Sequence, residues 1–159
     1  MPNERLRMMW LGRGMWQDFA FYQRFEKKYG AVFMWSMYLA MGADAYIRNH
    51  VEEDPLRALA ARYIGMEDFL HMPPWNSSWF LQQAIQNDID GVVYMIPDND
   101  IQAVEGSYFT QKVLENAGIP VLAFLADPVN PKKWNAETMT GMVEEFIERR
   151  VIPNKEKKK

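Results

Sequence analysis

Apolar and polar residues follow one another along this chain in blocks of two kinds, short continuous apolar runs and longer segments with helical spacing. Four of the apolar runs are bounded by glycine or proline and have the length of a buried strand. They cover residues 5–12, 31–37, 91–97 and 120–126. Because nearly every position in these runs is apolar, each predicts a strand that is covered on both faces, as in a parallel sheet.

Five further segments carry the signals of helix starts and ends. The predicted helices cover residues 15–30, 54–65, 76–90, 106–118 and 135–150. The residues that mark their ends are Gly30, Asp54, Pro55, Gly65, Asn76 or Ser77, Ser107, Gly118 and Asn135. The expected inner positions are Trp16, Phe19, Ala20 and Phe25 in the first helix, and Met139, Met142, Val143, Phe146 and Ile147 in the last.

Strands and helices therefore alternate, which predicts an α/β domain with a parallel sheet. We expect four strands in the order 2-1-3-4 with helices on both faces, a Rossmann-like or flavodoxin-like arrangement. The whole of residues 1–152 is expected to form this single domain, and residues 153–159 a charged, solvated tail.

In such a sheet, ligands bind at the carboxyl ends of the strands, where the strand order reverses. The reversal is expected between the first and third strands, next to the loops at residues 11–16 and 97–102. The residues of the predicted cleft are Gly12, Arg13, Gly14, Trp35, Ser36, Asp98, Asn99 and Asp100.

The chemistry of these cleft residues has competing explanations. Gly12, Arg13 and Gly14 present backbone amides that could receive an anion at a helix N-terminus, but a tight strand-to-helix turn also requires glycine. The dinucleotide fingerprint needs a third glycine, and Gln17 stands at that position. Asp98 and Asp100 could hold a cation through oxygen ligands, although such side chains more commonly bond to the backbone of their own turn.

Composition and charge exclude several classes of function. The net charge of −3 gives no reason to expect nucleic acid as a partner. No apolar stretch is long enough to cross a membrane, and the cytoplasm is the expected location. The two histidines, His50 and His71, are not at ligand spacing with each other, and the sequence assembles no nucleophile–histidine–acid triad around them. The aromatic content of 14% and the 12 methionines are explained by a bulky core or by a surface that meets another subunit.

Longer stretches of the chain resemble a known family. These are "GRGMWQDFAFYQRFEKKYGAVFMWSMYLAMGADAYIR", "DPLRALAARYI", "HMPPWNSSWF", "DGVVYMIP", "GSYFTQKVLENAGIPVLAFLADPVNPKKWNAETM" and "VEEFIERRV". In order and spacing they are similar to the C-terminal domain of the 2-hydroxyacyl-CoA dehydratase family, especially its benzoyl-CoA reductase branch. The resemblance extends from about Met8 to Val151 and does not include the upstream domain of such a subunit.

The resemblance implies subunits that pair as similar halves, each with a [4Fe-4S] cluster held by cysteines. Single electrons from an ATP-driven activator then reach an acyl-CoA thioester. One ligating cysteine of the family follows the strand that matches "DGVVYMIP", where this chain has "PDNDIQ" with Asp100 near the expected place. Since the chain has no cysteine, no metal or cofactor is expected on this chain alone.

Two functions of different classes remain open. The chain is either a component of such a dehydratase or reductase system, as a fragment or diverged subunit, or a stand-alone module that binds acyl-CoA or another subunit without catalysis. A cluster-bearing homologous subunit or a second copy of the chain is the expected partner. Trp35, Met37, Trp75 and Trp79 would then contribute to the contact or to the acyl-CoA pocket. A weaker alternative is an enzyme that uses Asp98 or Asp100 as an acid–base group.

Overall fold

A sheet of four parallel strands lies at the centre of the structure, a computed structural model that describes residues 3–36, 54–60, 75–99 and 101–158. The strands are β1 (Leu6–Gly12), β2 (Ala31–Ser36), β3 (Gly91–Pro97) and β4 (Val121–Ala126). Their order is β2-β1-β3-β4 and all neighbours are parallel, which confirms the predicted sheet. The predicted last residue of the second strand, Met37, lies outside the described residues.

Helices connect and follow these strands. The α-helices are α1 (Phe21–Tyr29), the described part of α2 (55–60), α3 (Trp75–Gln86), α4 (Ile101–Asn116), α5 (Ala136–Phe146) and α6 (Ile152–Lys157). A 3₁₀ turn covers Pro131–Lys133, and a π-helical turn at Ile147–Val151 joins α5 to α6. In the described residues no helix is long and apolar enough to span a membrane.

The sheet is covered on both faces, as predicted. On one face α1 and α5 pack around Trp10, Met95 and the expected inner residues of the last helix. On the other face α3 and α4 pack on Leu11, Tyr94 and their neighbours. The continuous apolar runs follow from this arrangement, because successive side chains of a strand enter opposite cores.

Several predicted helix ends are confirmed. Gly30 closes α1 in the left-handed conformation at φ 63°, and Gly118 has φ 75° in the turn after α4. Asn135 accepts a hydrogen bond from the Thr138 amide at 2.9 Å, as an N-cap does. Asp54 Oδ1 accepts from the Leu56 amide at 3.1 Å and from the Arg57 amide at 3.2 Å. The predicted end of that helix, Gly65, lies outside the described residues.

Three predicted helix starts are wrong. Helix α1 begins at Phe21 rather than near residue 15, so Trp16 and Phe19 precede it and are exposed. Helix α3 begins at Trp75, and Ser77 is buried in its first turn, where its hydroxyl lies 3.0 Å from that of Thr110. Helix α4 begins at Ile101, five positions before the predicted start, so Ser107 lies within it and donates to the Val104 carbonyl at 2.7 Å.

The segment predicted as a charged tail begins within the last helix of the structure. The helical backbone continues to Lys157. Lys155 Nζ donates to Asp90 Oδ2 at 2.7 Å and to the Arg5 carbonyl at 2.8 Å. Asp90 Oδ2 also accepts from the Arg7 amide at 2.8 Å. The segment after residue 152 is therefore anchored to the start of β1 and to the residue before β3.

Candidate functional site

Gly12 ends β1 at a place where only glycine fits. Its φ of +85° lies in the left-handed region, and a Cβ on it would overlap the carbonyl of Met95 on β3. This close approach holds the first and third strands together at their carboxyl ends. The geometry of the predicted tight turn is thus sufficient to explain why residue 12 is glycine.

The two residues after Gly12 turn back toward the sheet. The Arg13 carbonyl accepts a hydrogen bond from Trp10 Nε1 at 2.8 Å, and the ring of Trp16 lies against Gly14. Since α1 begins only at Phe21, the Gly12–Gly14 turn does not form the first turn of a helix. The helix-terminus geometry proposed for anion binding is therefore not present at this turn.

Gln17 carries the same loop across the end of the sheet. Its Nε2 donates to the Asp127 carbonyl, just beyond β4, at 3.3 Å. Its Oε1 is buried and has no hydrogen-bond partner among the described residues, which is uncommon for a buried acceptor. This hydrogen bond ties the loop after β1 to the residue that follows β4.

The acidic turn after β3 faces β4 and the 3₁₀ turn. The Asp98 amide donates to the Ala126 carbonyl at 3.1 Å, and Asp98 Oδ2 accepts from Lys133 Nζ at 3.0 Å. Lys133 also lies 3.4 Å from Asp127 Oδ2. An ammonium group therefore neutralises part of this turn. The predicted partner in the turn, Asp100, lies outside the described residues.

The electrostatics of this cluster favour the charged forms. The pKa of Asp127 is lowered, chiefly because its carboxylate accepts hydrogen bonds from the amides of Asn130 and Val129. The pKa of Lys133 is raised, chiefly by its hydrogen bond to Asp98 and then by Asp127. Among the described residues, no group of three histidine, aspartate or glutamate side chains is placed to hold a metal ion.

A cavity at this edge lies beside β1 and β2. Its volume is about 320 Å³, and six of its ten lining residues are aromatic. The lining residues are Trp10, Gly14, Met15, Trp16, Phe19, Tyr22, Glu26, Phe33, Trp35 and Ser36. Of the predicted cleft residues, Gly14, Trp35 and Ser36 line the cavity, whereas Gly12, Arg13, Asp98 and Asn99 do not.

Edge-to-face aromatic packing shapes this cavity. Trp10 packs against Tyr22 and Phe33 with ring centroids 5.0 and 5.8 Å apart. Trp35 is held by a hydrogen bond from its Nε1 to Gln83 Oε1 at 3.1 Å. At the rim, Trp16 and Phe19 pack together at 6.2 Å and expose 49% and 71% of their surface. Both rings lie in the loop before α1 and remain partly exposed at the rim of the cavity.

Sequence reasoning missed most of this lining. Tyr22, Glu26 and Phe33 gave no signal of a site, since single aromatic or acidic residues on a helix or strand are ordinary. Trp79, expected at the contact surface, packs on Trp35 with centroids 5.4 Å apart. Met37 and the side chain of Trp75 lie outside the described residues. Whether the predicted cleft residues contact a ligand stays a prediction.

Comparison with known proteins identifies the family to which the chain is related. Residues 1–149 match the family HGD-D, described as "2-hydroxyglutaryl-CoA dehydratase, D-component". No curated protein matches the chain significantly. The family match covers most of the chain, and it confirms the 2-hydroxyacyl-CoA dehydratase relationship predicted from the sequence. The chain belongs to the 2-hydroxyglutaryl-CoA dehydratase D-component family.

Proposed function

We propose that this chain is the acyl-binding part of a dehydratase-type or reductase-type system that acts on acyl-CoA thioesters by low-potential electron transfer. It would work with a homologous subunit that carries the iron–sulfur cluster. The observation that carries the proposal is the aromatic cavity at the carboxyl edge of the sheet, in a chain of the D-component family.

The size of the cavity supports an acyl group as its ligand. Ligand pockets commonly measure about 300–1,000 Å³, and drug-sized molecules fill them. A volume of about 320 Å³ lies at the low end of that range, which suits the acyl end of a thioester rather than the whole of an acyl-CoA. The open rim at Trp16 and Phe19 would leave the remainder of the thioester outside.

The lining supports an uncharged acyl group. Among the described lining residues, Glu26 is the only acidic side chain and none is basic. A ligand with a distal carboxylate would meet the carboxylate of Glu26 and no basic side chain in the lining. An aromatic acyl group would instead pack against the edges and faces of the six aromatic side chains that line the cavity. This lining favours an aromatic acyl group, as in the benzoyl-CoA reductase branch, over a carboxylate-bearing acyl group such as glutaryl.

The residues of this chain do not fit the [4Fe-4S] cluster that the resemblance implies. Such clusters are held by thiolates, and the sequence contains no cysteine. In the turn after β3, Asp98 already accepts a hydrogen bond from Lys133. We therefore assign the cluster to the partner and derive no step through a cluster on this chain.

The alternative is a stand-alone module that binds acyl-CoA or another subunit without catalysis. Anaerobic purification separates the two functions. The component should contain no iron alone, should co-purify with iron and acid-labile sulfide when co-expressed with a cluster-bearing homologous subunit, and should support turnover only in that complex. A stable iron-free monomer that binds acyl-CoA and never retains the homologous subunit would favour the module.

The cavity itself is tested by ligand titration. Tryptophan fluorescence should report tighter binding of benzoyl-CoA than of glutaryl-CoA or free CoA. Phe19→Ala should weaken benzoyl-CoA binding about tenfold, because a rim ring that contacts the ligand contributes on the order of 1–2 kcal/mol. Phe109→Ala is the matched control, since Phe109 is 58% exposed on α4 and does not line the cavity. Equal effects of the two variants would contradict the assignment.

A further inference from the structure

Glu26 places a carboxylate-bearing side chain in a cavity that is otherwise lined mainly by rings. It lies on α1 one turn after Tyr22, so the two side chains share the face of the helix that lines the cavity. A ligand that fills the cavity displaces water from this part of the lining. A carboxylate that loses water in this way is destabilised unless a hydrogen-bond donor replaces the water.

The Glu26 carboxylate has no hydrogen bond or ion pair with another residue that the structure describes. The basic side chains two positions away on α1 are engaged elsewhere. Arg24 Nη2 lies 2.8 Å from Asp18 Oδ2, and Lys28 Nζ lies 3.0 Å from Glu144 Oε2. The oxygens of Glu26 are therefore open to a donor that arrives with the ligand.

Two donors in the lining are already used by the protein. Trp10 Nε1 donates to the Arg13 carbonyl at 2.8 Å, and Trp35 Nε1 donates to Gln83 Oε1 at 3.1 Å. These bonds fix the two indole rings in the wall of the cavity and direct their N–H groups to other acceptors. The rings thus offer packing surface, and Glu26 offers an acceptor.

We propose that Glu26 determines which acyl group the cavity accepts, and that the preferred group is an aromatic ring with a hydroxyl or amino substituent. The substituent donates to the Glu26 carboxylate while the ring packs against the aromatic lining. A hydrogen bond to a charged acceptor is stronger than one between neutral groups, and an unsubstituted ring cannot make it. This inference rests on the proposed function, because it takes the cavity to hold the acyl end of a thioester.

Calorimetric titration of the full chain with a series of thioesters tests the preference. The better of 3-hydroxybenzoyl-CoA and 4-hydroxybenzoyl-CoA should bind about tenfold tighter than benzoyl-CoA. The fluorobenzoyl-CoA with the same substitution position is the ligand control, because fluorine is close to a hydroxyl in size and has no proton to donate. It should bind like benzoyl-CoA.

The series separates failure of this inference from failure of the proposed function. Equal affinities for the hydroxylated, fluorinated and unsubstituted thioesters would overturn the role of Glu26 and leave the acyl-binding function standing. If none of these thioesters binds, both are overturned.

A substitution at Glu26 tests the residue itself. Glu26→Gln keeps the size of the side chain and removes its charge, so the tenfold preference for the hydroxylated ring should fall to about twofold. Glutaryl-CoA should gain affinity relative to benzoyl-CoA, because its distal carboxylate no longer meets a like charge. Glu145→Gln is the matched control, since Glu145 is exposed on α5 and does not line the cavity.

Each readout is a ratio of two affinities measured on the same protein, so a general loss of stability does not change it. An unchanged ratio in Glu26→Gln, or an equal change in Glu145→Gln, overturns the assignment.

Discussion

Lys155→Met should destabilise the fold, although Lys155 lies in what the sequence presents as a charged tail. Its ammonium donates to Asp90 Oδ2 at 2.7 Å and to the Arg5 carbonyl at 2.8 Å. The Lys155 side chain is 33% exposed and that of Asp90 only 13%, so water cannot fully replace the lost partner. Methionine keeps the length and the apolar stem and removes only the charge and the donors.

The magnitude follows from the hydrogen bonds lost. A hydrogen bond to a charged group contributes about 1.5–3 kcal/mol, and the partial exposure of Lys155 places this one at the low end. We expect the free energy of unfolding to fall by about 1.5–2 kcal/mol, and Tm by about 3–8 °C for a chain of this size. Deletion of residues 153–159 should cost at least as much, because it also removes the hydrogen bond from Asn154 Nδ2 to the Gly118 carbonyl.

The assay is urea unfolding followed by circular dichroism, with a thermal melt as the second probe. Lys157→Met is the control, because Lys157 lies in the same helix and makes no ion pair with a described residue. Combination with Asp90→Asn should show a coupling of about 1 kcal/mol, since each substitution removes the same interaction. If Lys155→Met and Lys157→Met have equal effects, or if the two substitutions are additive, the tail is not anchored as described.

Three further predictions concern the site. Gly12→Ala should lower the free energy of unfolding by about 2 kcal/mol or more, because it combines a positive φ with overlap of the Met95 carbonyl. Gly141→Ala, where a Cβ meets nothing within 4 Å, should instead stabilise α5 by about 0.5–1 kcal/mol. Chemical denaturation measures both changes. Because the folded pKa of Asp127 lies below its usual 3.8, its stabilising contribution is present above that pH and is lost as pH falls through the folded pKa. Asp127→Asn should therefore flatten the acid limb of a stability–pH curve, and an unchanged limb would show that the carboxylate does not contribute. Replacement of Asp98 and Asp100 by Asn should leave any acyl-CoA turnover of the reconstituted system intact, and a loss would instead favour the acid–base alternative.

Local patterns were sufficient where one residue decides the geometry. Gly30, Gly118 and Asn135 mark helix ends in the structure as they do in the sequence, because a left-handed residue or a capping oxygen acts on its immediate neighbours. They were insufficient for α4. Its start at Ile101 lies in a stretch with two acidic residues and a glycine, where propensity gave no N-terminus, and packing on β3 and β4 forms the helix nonetheless.

The candidate site divides in the same way. The alternation of strands and helices predicted a site at the carboxyl ends of the strands. It did not predict where along that edge the cavity lies. Gln17 bonds to the Asp127 carbonyl beyond β4, and Trp16 and Phe19 lie outside α1 at the rim of a cavity beside β2. Both outcomes depend on the path of one loop, which short-range periodicity does not encode.

The amino-acid sequence by itself determined the strands, their parallel direction and the family, because continuous apolar runs, helix caps and the order and spacing of long motifs are all properties of the chain read in one dimension. Only the tertiary structure decided that Lys133 faces the acidic turn, that Lys155 reaches Asp90, and that six aromatic rings share one cavity. Each of these contacts joins residues distant in sequence. Their pairing is set by how the helices pack on the sheet, and no local pattern carries that information.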